Sequence, residues 1–505
     1  MASNQQQVAK RSAFDPAPSV RRRTTVAAAT EEPASVGAVG VTVSTSGTVP
    51  ERVGVNRDVL ARHGFTGAVG ESLVLPAPDG TTVVVVGIGD DAPVSTDVAR
   101  AAAAAFAGAV DRIGDLVLHL PAAVDDEAAA AAALEGALLA RYRYDALRTK
   151  AAGEALDAFT LVVDGDRLPL AEAGARRGAV LARATMVARD LANTPHNLLT
   201  AARLADLAEE LGPDHGLQVE VFDLEALEEL EIGGLLAVNQ GSVEPPRMIK
   251  LRYTPEGSPS GRLALVGKGI MYDSGGLGIK PNDRVHAQMK NDMSGAAAVF
   301  ASMLVLRELG CPAEVTGYLM CTDNMPSGTA IALGDVIQIR GGTTVEVTDT
   351  DAEGRLVMAD ALVLAKEDGH DAVVDIATLT GAALRALGSD IAPIFGNHAA
   401  LVEQVEAASA DTGELVWEMP LHKPYFSQLK SDTADMINVG YGNAGAITAA
   451  LFLAEFTEGI AWVHIDMCGP AQVESPGSWL PAGCSGFGAR LLAQFAVEFA
   501  APGQR

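Results

Sequence analysis

Apolar and polar positions follow two rhythms along the chain. Short runs dense in valine and leucine, VGAVGVTVS (36–44), TTVVVVGIG (81–89), DLVLHL (115–120) and FTLVVDG (159–165), have the length and β-branched content of buried strands. Alanine-rich stretches near 96–111 and 126–147 fall between them and predict helices. A longer helix is predicted over about 168–191, and the Asn, Thr and Pro of LANTPHNLLT (191–200) break it. The rhythm then restarts with strands at RMIKLRY (247–253), RLALVGKG (262–269), AEVTGYLMC (313–321) and AVVDIATLTG (372–381), and with helices near 294–309 and 355–367. Strand–helix alternation of this kind predicts α/β architecture. The expected fold is therefore two α/β domains: a smaller one over 36–185 and a larger one over 186–505 around a mixed central sheet, after a disordered tail over 1–35.

Bulk composition narrows the function classes. At 505 residues the chain exceeds one ordinary core, and 48 % hydrophobic against 20 % charged residues is globular composition. A formal charge of −27 repels nucleic acid and anionic membranes, so neither is an expected partner. The tail has Arg21, Arg22 and Arg23 but no apolar segment of the kind a secretory signal needs, and no run reaches the ~18 residues of a membrane span. Cys311, Cys321, Cys468 and Cys484 are scattered singly, which reads as free thiols in a reducing cytoplasm. GIGDD (87–91) lacks both common phosphate-loop patterns and reads as a turn.

Polar residues collect where apolar strands of the larger domain end, the edge at which open α/β sheets bind ligands. In LVGKGIMYDSGGLGIKP (265–281), Lys268 follows an apolar run, Asp273 precedes a glycine pair and Lys280 closes the loop. In MKNDMSGAAAVF (289–300), Asp292 stands before a small-residue helix, where a helix cap is the plainer reading. In VTDTDAEGRLVMADAL (347–362), Asp349, Asp351 and Glu353 alternate ahead of Arg355. An extended segment would throw the three carboxylates to one side. DIATLTGAAL (375–384) ends a strand in Thr and Gly. Grouped carboxylates repel unless cations neutralise them, and Asp273, Asp292, Asp351 and Glu353 could bridge two divalent ions. No HExxH or GxSxG occurs, and the nine histidines are scattered, so single-zinc and serine chemistry lack their signatures. His286 reads as a surface or supporting histidine.

These segments resemble the signature blocks of the leucyl aminopeptidase (cytosol aminopeptidase) family, the M17 metallopeptidases. VGKGIMYDSGGLGIK, MKNDMSGAAAV and TDAEGRL carry the resemblance. It continues through NMPSGTAIALGDV (324–336), DIATLTGA, AGAITAALFLAEF (444–456) and WVHIDMCGPA (462–471). The resemblance implies hydrolysis of N-terminal, leucine-like residues by two divalent ions, Mn²⁺ or Zn²⁺. Lys268, Asp273, Asp292 and Glu353 would hold the tighter ion. Asp273, Asp351 and Glu353 would hold the more exchangeable one, with the Asp351 carbonyl. Lys280 and Arg355 would be catalytic, Arg355 holding a bicarbonate-like anion as proton shuttle. Thr378, Leu379 and Gly381 would line the substrate site, with Met289 at the pocket for the first side chain. A homohexamer is implied too, and some similar proteins are DNA-binding accessory factors, a role the charge opposes. Two departures stand out: Asp349 occupies a position where the family usually has Asn, and the stretch from Lys280 to Asp292 is one residue longer than the family pattern.

Overall fold

The valine-rich runs pair as their pattern requires. The computed structural model describes residues 14–503 apart from 78–79, 91–92 and 151–152. The chain divides into two compact units, one of residues 19–186 with 473–483 and the other of residues 187–472 with 484 onward.

The first unit is built on a six-stranded sheet: β1 (Thr25–Ala29), β2 (Ala38–Val43), β3 (Ser72–Pro76), β4 (Thr82–Gly87), β5 (Asp115–His119) and β6 (Ala158–Val162), in the order β1-β6-β5-β2-β4-β3. All neighbours are parallel except β3, which runs against β4. Helices α1 (Thr96–Ala109) and α2 (Asp126–Ala140) begin at Ser95 and Asp125, whose side chains accept from Val98 N and Ala128 N, and the long helix expected after them is α3 (Leu168–Asn193). Phe106, Leu134 and Phe159 fill one side of the sheet, Val39, Val41, Val83 and Val85 the other. Covering both faces explains why the strands read as continuous apolar runs.

Two expectations for this unit need correction. Thr25–Ala29 lies in the stretch read as a disordered tail, yet it forms β1, paired with β6; its small, weakly apolar residues suit a half-covered edge strand. Residues 1–13 of that tail lie outside the described residues. Residues 473–483, read as part of the larger domain, group with the first unit because Trp479 packs on its core. Of GIGDD, Gly89 has φ +75° and turns the chain after β4, whereas Asp91 lies outside the described residues.

The second unit carries an eight-stranded mixed sheet, as expected. Its strands are β7 (Leu217–Phe222), β8 (Arg247–Tyr253), β9 (Arg262–Asp273), β10 (Glu314–Asn324), β11 (Ala372–Ala377), β12 (Ala392–Gly396), β13 (Val416–Glu418) and β14 (Ala461–Asp466). They lie in the order β13-β12-β14-β11-β9-β10-β8-β7. The four central strands, β14, β11, β9 and β10, are parallel, so one edge of the sheet gathers all their C-terminal ends. Helix α4 (Ser294–Met303) presses on β9 and β11, and α5 (Glu353–Glu367) packs on the face that carries Ala264 and Val266. Among the described residues, no helix is long and apolar enough to cross a membrane.

Close approach of α4 to the sheet depends on missing side chains. A Cβ on Gly295 would lie 2.2 Å from Ile376 O and 2.9 Å from Lys268 N, both backbone atoms that cannot swing away. Gly295→Ala is expected to destabilise the fold by at least about 1–3 kcal/mol. Gly328→Ala, which meets nothing within 4 Å, is expected to stay within about 0.5 kcal/mol of wild type. Thermal or denaturant midpoints of the two variants test the contrast.

Candidate functional site

Strand β9 delivers Lys268 and Asp273 to the shared edge, but simple alternation would send residues five apart to opposite faces. The pairing shows how the conflict is resolved. Thr322 faces Ile270 and Asn324 faces Asp273, so two steps on β10 span three on β9. The extra residue is a bulge that resets the alternation and brings Asp273 to the same cluster as Lys268.

Asp273, Asp292 and Glu353 each offer an oxygen within 4.8 Å of the others, and all three are buried. Lys268 Nζ lies 2.7 Å from Asp292 Oδ2 and 2.8 Å from Glu353 Oε1, and it donates to Thr378 O at 3.0 Å. Lys280 Nζ bridges Asp273 Oδ2 and Asp351 Oδ1, both at 2.6 Å. Gly354 makes room for the first lysine: a Cβ there would sit 2.7 Å from Lys268 Cε and 2.8 Å from Nζ.

The structure corrects two local readings. Asp349, Asp351 and Glu353 are not strung along an extended segment. A turn folds Asp349 Oδ1 back onto Asp351 N at 2.9 Å, and Glu353 opens α5, so Glu353 is buried while Asp351 stays exposed. Asp292 does not cap α4, whose N-cap is Met293. Its Oδ1 instead accepts from Thr378 Oγ1 at 2.7 Å, and its Oδ2 is buried without a directed hydrogen bond.

Protein charges alone leave this cluster unbalanced. Burial lifts the Asp273 carboxyl to about 6, with Glu353 adding to the rise and the two lysines opposing it. Burial likewise lifts Asp292 far above the carboxylate range against the pull of Lys268, and partial burial of the Asp351 side chain lifts it against Lys280. Glu353, opposed by burial but gripped by Lys268, is held low. Burial opposes charge on both lysines, yet Asp292 and Glu353 around Lys268, and Asp273 beside Lys280, hold both ammoniums above their usual range. A buried, oxygen-rich donor set with surplus negative charge and an undirected carboxylate oxygen fits hard divalent cations.

Arg355 lies in the first turn of α5 and is buried. It donates from Nη1 to Asn438 O at 2.6 Å, and its Nε has no hydrogen-bond partner. Burial lowers its pKa to about 10, which still leaves it charged at neutral pH. Thr378, Leu379 and Gly381 form the turn from β11 into α6 (Gly381–Leu387). Asp466, at the end of β14, holds that turn through Leu379 N (3.1 Å), Thr380 N (3.3 Å) and Thr380 Oγ1 (2.7 Å). Met289 sits in a short turn just before Asp292. His286 is not part of the acidic group; its ring lies 5.9 Å from that of Tyr272.

Three supporting residues escape a reading of sequence. Asn324 Nδ2 donates to Asp273 Oδ1 (2.9 Å), Glu353 Oε2 (3.2 Å) and Thr350 O (2.9 Å), fixing two carboxylates at once. Its one legible signal is its place at the end of an apolar strand beside Asp273. Asp466 has the same signal. Asn438, whose side chain accepts from Thr348 N and donates to Asp349 O, stands in a loop with no local pattern to mark it.

The sequence profile of the cytosol aminopeptidase family, catalytic domain, matches residues 186–493, and that of the family's N-terminal domain matches 49–151. The chain belongs to the cytosol aminopeptidase family. A probable cytosol aminopeptidase of Chlorobium luteolum is 42 % identical over 458 residues, 85 % of this chain and 90 % of that protein. One from Streptomyces coelicolor is 43 % identical over 472 residues, 88 % of this chain and 90 % of its own. Among solved structures, the bottromycin maturation enzyme BotP in complex with Mn superposes with a TM-score of 0.84 at 38 % identity, covering 92 % of this chain and 99 % of that one. Members of this family are metal-dependent aminopeptidases, so this chain is a hydrolase that acts on peptides.

Asn324→Ala removes the shared donor to Asp273 and Glu353 without touching either carboxylate. It is expected to weaken divalent-metal affinity about 10–100-fold, with the far-ultraviolet circular dichroism unchanged. Chelator competition against wild type measures it.

Proposed function

We propose that this cytosol-family aminopeptidase releases N-terminal leucine-like residues using two divalent ions, Mn²⁺ or Zn²⁺. The observation that carries the reading is the convergence of Asp273, Asp292, Asp351 and Glu353 with Lys268 and Lys280 at one sheet edge. Lys268, Asp273, Asp292 and Glu353 would hold the tighter ion, and Asp273, Asp351 with its carbonyl, and Glu353 the looser one. Two adjacent dications would also turn Lys268 into a neutral amine ligand, against the carboxylate field that otherwise keeps it protonated. BotP, the similar enzyme solved in complex with Mn, supports the choice of manganese. Bound divalent ions supply an activated water and a polarised scissile carbonyl.

The remaining chemistry falls to side chains of this chain. Lys280 keeps its proton because Asp273 and Asp292 favour its charge, so it is an ammonium suited to the negative charge that develops on the scissile oxygen. Arg355 spends one donor on Asn438 O and keeps its Nε free, a planar fork suited to a bicarbonate-like anion that takes up and returns a proton. The turn of Thr378, Leu379 and Gly381, pinned by Asp466, would form a rigid rim for the substrate backbone, with Met289 beside the first side chain. Cys311, Cys321, Cys468 and Cys484 are all free, in keeping with a reducing cytoplasm. By family analogy the active assembly is a homohexamer.

Hydrolysis of leucine p-nitroanilide is expected to vanish after chelation, to return with Mn²⁺ or Zn²⁺, and to be absent with the N-acetylated substrate. Full activity in chelator would overturn the reading. Lys280→Ala is expected to lower kcat by about 10²–10³-fold while leaving metal stoichiometry, measured by elemental analysis, at two ions per subunit.

A further inference from the structure

The opposite edge of the same sheet carries a cavity of about 960 Å³ that the peptidase chemistry does not use. It opens where β11 and β14 begin, at Asp371 and Ala461, about six strand residues and roughly 20 Å from the ends that bear the acidic cluster. Among the described residues its charged lining is unequal: Asp371, Glu455 and Glu458 against Lys423 alone. Phe426, Leu451 and Ile460 give it an apolar wall.

Three further features share one preference. Helix α7 (Gly445–Ala454) ends at this cavity, as α5 does just before His370, and the C-terminal end of a helix favours positive charge. Glu455 and Glu458 stand three residues apart across a 3₁₀ turn, which stacks them on one side. Partial burial lifts the Glu455 carboxyl above its usual range, Glu458 adds to the rise and Lys423 opposes it. His370, only 7 % exposed, is among the lining residues, and its buried Nδ1 has no hydrogen-bond partner.

The tautomer of that ring follows from its neighbours. Tyr318 Oη donates to Asp368, which also takes Lys250 Nζ at 2.7 Å. Tyr318 can therefore only accept from His370 Nε2, at 3.1 Å, and Nδ1 is left as an acceptor. Acceptors, surplus carboxylates and helix C-termini all call for a donor-rich cation. The cavity does not gather three ligand atoms at a common point, as the metal cluster does among the described residues, so a bare metal ion is a poor occupant.

We propose that this cavity is a second binding site, taking a primary ammonium carried on an apolar body. The ammonium would donate to Glu455 and Glu458, and its apolar part would rest on Phe426, Leu451 and Ile460. The site stands independently of the roles assigned to the metal cluster.

n-Hexylammonium is the probe, titrated calorimetrically into the metal-loaded protein, with hexanoate as the control of opposite charge. Wild type is expected to bind the amine and not the acid. The double variant Glu455→Gln/Glu458→Gln, both at exposed positions, is expected to bind it at least tenfold more weakly while hydrolysing leucine p-nitroanilide with unchanged kcat/KM. Phe426→Ala is expected to weaken hexylammonium several-fold and to leave methylammonium unaffected. Equal affinity in wild type and the double variant would overturn the proposal, since the amine would then sit elsewhere. Absence of binding to wild type, or hexanoate binding as tightly as the amine, would overturn it too.

Discussion

Like charges cannot be buried together unless something of opposite sign is buried with them, and the catalytic unit is organised around that constraint. Asp273, Asp292 and Glu353 meet within hydrogen-bonding distance of one another's neighbours, and two lysines thread between them. Breaking such a cluster by removing one partner is costly, because the charge left behind has no water to turn to. The surrounding parts follow from holding it. A bulge turns Asp273 inward, Gly354 yields space to Lys268, and Asn324 supplies N–H groups to oxygens that would otherwise repel.

How much of this is legible in sequence depends on the kind of information involved. Strands such as RMIKLRY (247–253) and the alternation of both units are readable because burial imposes a periodicity on adjacent residues. The grouping of Lys268, Asp273, Asp292 and Glu353 is readable because parallel strands place their carboxyl ends on one edge, and polar residues there stand out against apolar runs. Geometry that depends on register is not readable. Alternation predicts that Asp349, Asp351 and Glu353 share a side, but the turn through Asp349 Oδ1 and the start of α5 separate an exposed Asp351 from a buried Glu353. Edge strands fail for the opposite reason: β1 and β3 are half covered, so their residues carry little hydrophobic signal.

The two edges of the central sheet pose different electrostatic problems. At the carboxyl edge, negative charge is dense and deeply buried, and two lysines offset only part of it, a setting that fits compact cations of high charge. At the amino edge, the carboxylates of Glu455 and Glu458 lie near the surface beside an apolar wall, with a neutral imidazole beneath. Burial and the nearby Arg262 lower the His370 pKa to about 4, which keeps that ring an acceptor across the neutral range. One sheet thus supports two acidic sites of different hardness, set by depth and by how tightly the donors converge.

The ligand-bearing segments are far apart in the chain. Lys268 and Glu353 come from separate elements, and the turn at Thr378–Gly381 is held only once Asp466, 198 positions beyond Lys268, has its strand paired with β11. Contacts of such separation carry a high loop-closure cost, so the cleft is among the slowest parts of the unit to assemble.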